Sequence, residues 1–354
     1  MKSVLPLVVL TVCGLWFAPC LCFDPYSPGP HAVVQVKINH TQYAPGLSVH
    51  MSAWAPAEAG VYPVVYFFDG FQSTMPVEVY GDALERVSTH GFVVAAPWNF
   101  TDNFRPEEKL DAMQHVFDWT YDNLDSVLIA AGASSDLITD YQTAFAMSHS
   151  AGGHMVCSYL QLSGCENFKG MALTSPVDGV DPFGVVDDYC TSLDSTLNFS
   201  IPTIVMAAGL DDVPGSNLTS TTCAPADMSN MRLSLRFYRA LDPDSPRWFL
   251  NATEFGHFDY CNLLFQEAAA VSHFCATNRE AGLLEFSKYR SFVPGTAVAF
   301  FFSLLEDDCQ TYLPYLQDTS AMPVAVVGEY VNQGEATGQC PRGYCSRVPS
   351  VDQN

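Results

Sequence analysis

Apolar residues along this chain fall into short dense runs separated by longer stretches in which they recur every three or four positions. The runs Ala32–Ile38, Val61–Phe68, Phe92–Ala96, Ala144–Met147, Gly170–Thr174, Thr203–Ala207 and Arg247–Ala252 are short and rich in β-branched, aromatic or small apolar side chains, so they predict strands. Val77–His90, Glu107–Asn123, Ala151–Leu162 and Asn262–Ala276 carry the helical period instead. Strands alternating with helices imply an α/β fold: a mostly parallel central sheet with helices on both faces. One further apolar run, Phe292 to Leu305, contains Pro294 and Gly295 and is too short to cross a bilayer, so it predicts a buried helix. The Ser/Thr/Asn-rich stretch from Asp211 to Asn230 predicts a long surface loop, held through Cys223.

The N-terminus sets an expected compartment. Lys2 precedes an apolar run from Val4 to Ala18, and small residues follow around Cys20 to Cys22, which is the pattern of a secretory signal peptide. Residues 1–22 are therefore read as a leader, 23–316 as the catalytic domain, and 317–354 as a Cys-containing tail packed on or trailing from it. No second span is expected, so the mature protein has no transmembrane anchor. Sequons at Asn39, Asn99, Asn198, Asn217 and Asn251 fit passage through a secretory pathway as candidate glycosylation sites. Without Cys13, Cys20 and Cys22, nine of the twelve cysteines remain, an odd number in a compartment that favours disulfides. Cys157, in an apolar helix, is expected to be the unpaired one, and Cys340–Cys345 to staple the tail. Zinc is not expected, because paired Cys-x2-Cys units are missing.

The formal net charge is −23 at pH 7, and removing Lys2 makes it one unit more negative. Such a chain is a poor partner for nucleic acid or an anionic membrane surface. The acidic clusters Asp187-Asp188 and Glu306-Asp307-Asp308 lack the EF-hand ligand spacing, so they are read as solubilising surface.

The chemistry centres on residues Ala144 to Gly153. An apolar strand runs into Ser148-His149-Ser150-Ala151-Gly152 and then a helix, the context of a nucleophile elbow, with Ser148 where the first glycine usually stands. A serine hydroxyl needs a histidine base, and the base needs a carboxylate to fix its tautomer. In this fold the chain order is Ser, acid, His. His257 follows the last predicted strand and precedes a helix, where the base belongs. His154 lies on the nucleophile's own helix, and His273 sits among apolar helical residues. The acid stays open on position alone: Asp178 follows one strand, and Asp211 and Asp212 follow the next.

Five segments in order resemble the chlorophyllases, which hydrolyse the phytyl ester of chlorophyll. Those enzymes carry a His-Gly-Phe loop, Ser-His-Gly-Phe-x-Val-x-Ala-Pro, Gly-His-Ser-Arg-Gly-Gly, Asp-Pro-Val-Asp-Gly and Gly-His-x-Asp. This chain has Asp69-Gly70-Phe71, Thr89 to Pro97, Ser148 to Gly153, Ser175 to Gly179, and Gly256 to Asp259, with similarity running from about Val61 to Leu305. The resemblance implies an α/β-hydrolase fold, no cofactor, and Asp178 as the acid in preference to Asp211 or Asp212. The oxyanion is then expected to meet the backbone N–H groups of Phe71 and Ala151. Three positions depart from the family: Asp69 for His, Ser148 for Gly, and Ala151 for Arg. The expected activity is a serine carboxylic ester hydrolase acting on a bulky apolar ester, with Met75, Trp98 and Phe100, and beyond them Val77 and Phe104, as candidate pocket residues. A secreted lipase or phospholipid acetylhydrolase is the alternative enzyme, and a non-catalytic binding module of the same fold is the alternative of another class.

Overall fold

Val64 to Phe68 are at most 4% exposed, so both faces of this strand are covered. In a parallel sheet sandwiched between helices that is the expected reading of a continuous apolar run. A computed structural model describes residues 24–43, 48–100, 106–179, 189–192, 194–215, 222–224, 233–273, 275–305, 309–331 and 345–347. Its strands are β1 (Val33–Ile38), β2 (His50–Pro56), β3 (Gly60–Phe68), β4 (Val93–Trp98), β5 (Leu137–His149), β6 (Phe168–Thr174), β7 (Phe199–Ser200), β8 (Thr203–Ala208), β9 (Arg247–Ala252), β10 (Val326–Val331) and β11 (Ser346–Arg347). Nine of them form one sheet in the order β1-β2-β4-β3-β5-β6-β8-β9-β10. From β4 to β9 the neighbours are parallel, and β1, β2 and β10 add antiparallel edges. This is the α/β-hydrolase architecture expected from the sequence.

Alternation along β3 and β5 divides the core into two layers. Val64, Tyr66, Phe68, Ala144 and Ala146 meet Met113, Val116 and Leu124 of helix Pro106–Ala130 and Val156 and Leu160 of helix Gly152–Ser163. Val65, Phe67, Phe145 and Met147 face the other way, onto Leu84 and Val87 of helix Gly81–Thr89 and Phe292, Phe300 and Phe301 of helix Leu283–Ser303. The buried helix expected at Phe292–Leu305 is present and begins earlier, at Leu283. Among the described residues no helix is long and apolar enough to cross a membrane.

All six parallel strands point their carboxyl ends at one rim. The segments Asp69–Ser73, Ser150, Asp178, Asp211 and His257 therefore emerge side by side, after β3, β5, β6, β8 and β9. Part of the segment after residue 316 contributes β10 to this sheet, paired with β9.

The cysteines depart from expectation. Cys157 is bonded to Cys190, Cys165 to Cys345, and Cys223 to Cys275, while Cys309 is also disulfide-bonded. Among the described residues the free thiol is Cys261, fully buried. Cys157 points from its helix toward the 189–192 loop, which carries Cys190 to it. Cys345 is drawn to Cys165 by the β7–β11 ladder rather than to Cys340, which lies outside the described residues. The Cys223–Cys275 bridge does hold the segment after Asp211. Of the sequons, Asn39 and Asn198 are exposed, Asn99 is half-buried with its amide on the Ser48 carbonyl, and Asn251 is half-buried within β9. The leader 1–22, Phe104, Asn217, Asp187-Asp188 and Glu306-Asp307-Asp308 lie outside the described residues.

Candidate active site

Ser150 sits between β5 and helix Gly152–Ser163 with φ +54°, a left-handed conformation that a non-glycine residue adopts at a cost. The surroundings hold it there. Its N–H donates to the Thr174 carbonyl at 3.0 Å, and its carbonyl accepts from Gly153 and Val177, each at 2.9 Å. Gly152 is obligatory, since a Cβ there would collide with the Phe68 carbonyl. Ser148, in the usual glycine position, is fully buried, and there is room for its side chain.

His257, 2% exposed, donates from Nδ1 to Asp211 Oδ1 at 2.8 Å. Asp211 is itself 2% exposed, and its Oδ2 accepts from the Ala208 N–H at 3.2 Å. A carboxylate can only accept, so the hydrogen sits on Nδ1, which leaves Nε2 as the basic nitrogen. That Nε2 is buried without a hydrogen-bond partner among the described residues.

Asp178 does not reach His257, which corrects the expectation drawn from the family pattern. Its Oδ1 pairs with His154 Nδ1 at 2.8 Å and accepts from the Gly179 and Cys190 N–H groups. Its Oδ2 takes the N–H and hydroxyl of Thr191, which Arg236 braces in turn. Burial opposes ionisation here, but the His154 and Thr191 hydrogen bonds hold the carboxyl below its ordinary range. The reason is positional. Asp178 follows β6 and faces the first turn of helix Gly152–Ser163, where His154 stands. Asp211 follows β8, whose neighbour β9 delivers His257.

The segment after β3, where the oxyanion donor Phe71 is expected, is a left-handed turn. Phe71, Gln72 and Ser73 have φ of +51°, +56° and +56°, and Ser73 N–H closes the turn on the Asp69 carbonyl at 3.1 Å. It lies against the elbow, for a Cβ built on Gly70 would stand 3.5 Å from Ser150 Cβ. Buried Lys109 donates from Nζ to Gln72 Oε1 at 2.6 Å, and burial lowers its ammonium to about 8 against the pull of Asp69. Asp69 is fully buried, and that burial drives its carboxyl well above the usual range. Ala151 caps helix Gly152–Ser163 with φ −67°. The side chain of Phe71 is 37% exposed at the rim.

The pocket candidates separate. Met75 and Trp98 are half-buried, and the Trp98 ring stacks on His50 at 4.8 Å. Phe100 and Val77 belong to the core, and Phe100 serves the site through its N–H, which holds the Ser73 carbonyl at 3.0 Å. Behind the turn lies a cavity of about 10 Å³, room for one water, lined in part by Gln72, Lys109 and His154.

Sequence reasoning missed Tyr80, His149, Gln72 and Lys109. His149 lies inside the elbow motif and was in plain view. Tyr80, Gln72 and Lys109 have no local signature, because what they touch is distant in sequence.

The chlorophyllase family model matches residues 22–331. "Chlorophyllase type 0" of Chenopodium album is 28% identical over 322 residues, covering 86% of each chain. "Chlorophyllase-1, chloroplastic" of Citrus unshiu is 26% identical over 283 residues, covering 78% of this chain and 79% of its own. "Chlorophyllase-1" of Arabidopsis thaliana is 26% identical over 279 residues, covering 76% and 80%.

Proposed function

The chain belongs to the chlorophyllase family, and from that premise we propose that it hydrolyses a bulky apolar ester through an acyl-enzyme on Ser150, with His257 as base and Asp211 as acid. The observation that carries this reading is the 2.8 Å His257–Asp211 hydrogen bond at the rim where the Ser150 elbow opens. Ser150 Oγ attacks the ester carbonyl carbon while its proton passes to His257 Nε2. Asp211 steadies the imidazolium through Nδ1–H, and the Phe71 and Ala151 N–H groups receive the oxyanion. Collapse breaks the ester C–O bond, and the alcohol leaves with the proton from Nε2. Water then repeats the sequence on the acyl-enzyme and releases the acid, so ester and water balance the reaction.

The phytyl ester of chlorophyll is the substrate favoured by the relatives' names, and the exposed Phe71 ring with half-buried Met75 and Trp98 offers apolar surface in the segments after β3 and at the end of β4. Ala151 in place of the family's Arg removes a cation beside Ser150, which shifts selectivity away from anionic substrate parts. Residues 1–22 act in this reading as a cleaved signal peptide delivering a glycosylated protein outside the cell or into a lumen. The disulfides support an oxidising compartment. The Citrus relative, in contrast, is named chloroplastic.

The test offers purified protein chlorophyll a, a short-chain ester and a phospholipid, with products separated by chromatography. Phytol and chlorophyllide are expected from the first. Turnover of the phospholipid alone would move the substrate to lipid, and turnover of none would overturn the reading.

A further inference from the structure

We propose that Tyr80 and His149 are positioning residues for ester hydrolysis, joining the oxyanion turn, the nucleophile elbow and the His257 loop through one directed hydrogen-bond chain. The inference rests on the Ser150–His257–Asp211 reading above. Three contacts make the chain: Gly70 N to Tyr80 Oη at 3.4 Å, Tyr80 Oη to His149 Nδ1 at 2.8 Å, and His149 Nε2 to the His257 carbonyl at 3.1 Å. Tyr80 and His149 have no exposed surface.

Chemistry fixes every direction. The His257 carbonyl can only accept, so His149 carries its hydrogen on Nε2. A neutral imidazole then has a bare Nδ1, which accepts the Tyr80 O–H. The Tyr80 oxygen, having donated its hydrogen, accepts the Gly70 N–H. Each donor meets one acceptor, and the chain runs one way from the turn after β3 to the loop after β9.

Neutrality is what the position demands. The His149 ring lies 4.5 Å from the His257 ring, which becomes positive in each catalytic cycle. A second imidazolium there would oppose the first. Burial and the neighbouring His257 hold His149 well below the ordinary histidine range, and burial likewise keeps the Tyr80 hydroxyl protonated. The other titratable groups facing the pair are Tyr260, whose ring meets both, and Asp69 and Cys261, which bear on Tyr80. Burial shifts all three upward from their ordinary ranges, toward their neutral forms.

The link matters because Gly70 immediately precedes Phe71, whose N–H is the proposed oxyanion donor. Three consecutive left-handed residues follow Gly70, a backbone that persists only where neighbours over-determine it. Tyr80 supplies one such tether at the turn's entrance, and through His149 it sets that turn against the backbone of His257. Donor and base are thereby held to the same reference, the residue preceding Ser150.

Tyr80→Phe removes the hydroxyl and keeps the ring, and its kinetics on p-nitrophenyl butyrate test the proposal. The expected result is a fall in kcat of about 10- to 100-fold with KM within about twofold, since the lost alignment concerns the transition state. A folded variant with wild-type kcat, or with a change in KM alone, would overturn it. If the variant does not fold, nitrogen-15 NMR of histidine-labelled wild type decides. His149 is expected as a neutral Nε2–H tautomer that does not titrate between about pH 5.5 and 8. An Nδ1–H tautomer, or titration in that range, would overturn the chain. Phosphonate labelling of wild-type Ser150 separates the two levels: no labelling there means that the underlying triad reading has failed, whatever Tyr80→Phe does.

Discussion

At Ser150, Gly152 and Gly153 backbone geometry dictates residue type: the elbow needs φ near +54°, and any Cβ at 152 meets the Phe68 carbonyl. This much was readable in the sequence, because the small residue two places on is a direct consequence of the turn. The acid was not. Asp178 and Asp211 both end strands, and the choice depends on which neighbour each carboxylate meets across the rim, a matter of strand order. Their environments predict different outcomes for the same substitution. Asp211→Asn keeps the shape but removes the acceptor that fixes Nδ1–H on His257, and kcat is expected to fall on the order of 10⁴-fold with little change in melting temperature. Asp178→Asn should keep most of its turnover and lose stability, about 3 kcal/mol at neutral pH, because a buried carboxylate with His154 and Thr191 as donors is broken up. Its folded-state pKa is depressed, so the carboxylate stabilises above the unfolded value and that contribution disappears as pH falls through the folded one. The gap between wild type and Asp178→Asn, read from urea unfolding, should therefore close as pH drops below about 4. Loss of turnover in Asp178→Asn with Asp211→Asn fully active would reverse the assignment.

Among the elements, the predicted strands and helices recur, most of them within two residues at each end, although β5 begins seven residues before the expected Ala144 and helix Pro106–Ala130 ends seven residues after the expected Asn123. β2 and β10 escaped, for different reasons. His50–Pro56 mixes Ser, Ala and Met with few β-branched residues, and Val326–Val331 carries Gly and Glu at the sheet edge. β2 runs antiparallel to both its neighbours, β1 and β4, and β10 is an antiparallel edge strand, so both are recruited by their neighbours more than by their own propensity. The 189–192 loop was equally hidden, since its job is to donate Cys190 and Thr191 N–H groups to Asp178 while Cys190 bonds to Cys157. That bridge encloses a separation of 33 residues, for which chain entropy gives about 3–4 kcal/mol. Replacing both Cys157 and Cys190 by Ala should lower stability by that order in denaturant titration and leave kcat within a few-fold, because neither cysteine touches Ser150, His257 or Asp211. A collapse of kcat in a variant that still folds would mean that the loop serves catalysis directly.

For the whole molecule, the sheet brings five loops to one rim, and the charge of −23 lies on a protein whose proposed catalytic and positioning groups are nearly all buried. His257, Asp211 and His149 are 2% exposed or less, while Ser150 is 8% exposed. A reagent approaching the rim therefore meets the serine first. An electrophilic phosphonate ester with an apolar chain is the most direct probe, because it reports a nucleophile activated by its base and an oxyanion site together, independently of the natural ester. The measurement is intact mass followed by peptide mapping after treatment with such a probe, on wild type, Ser150→Ala and His257→Ala. One adduct per chain is expected on the wild type, located at Ser150 and missing from both variants. Full labelling of Ser150→Ala, or an adduct mapped to another residue, would contradict Ser150 as the nucleophile.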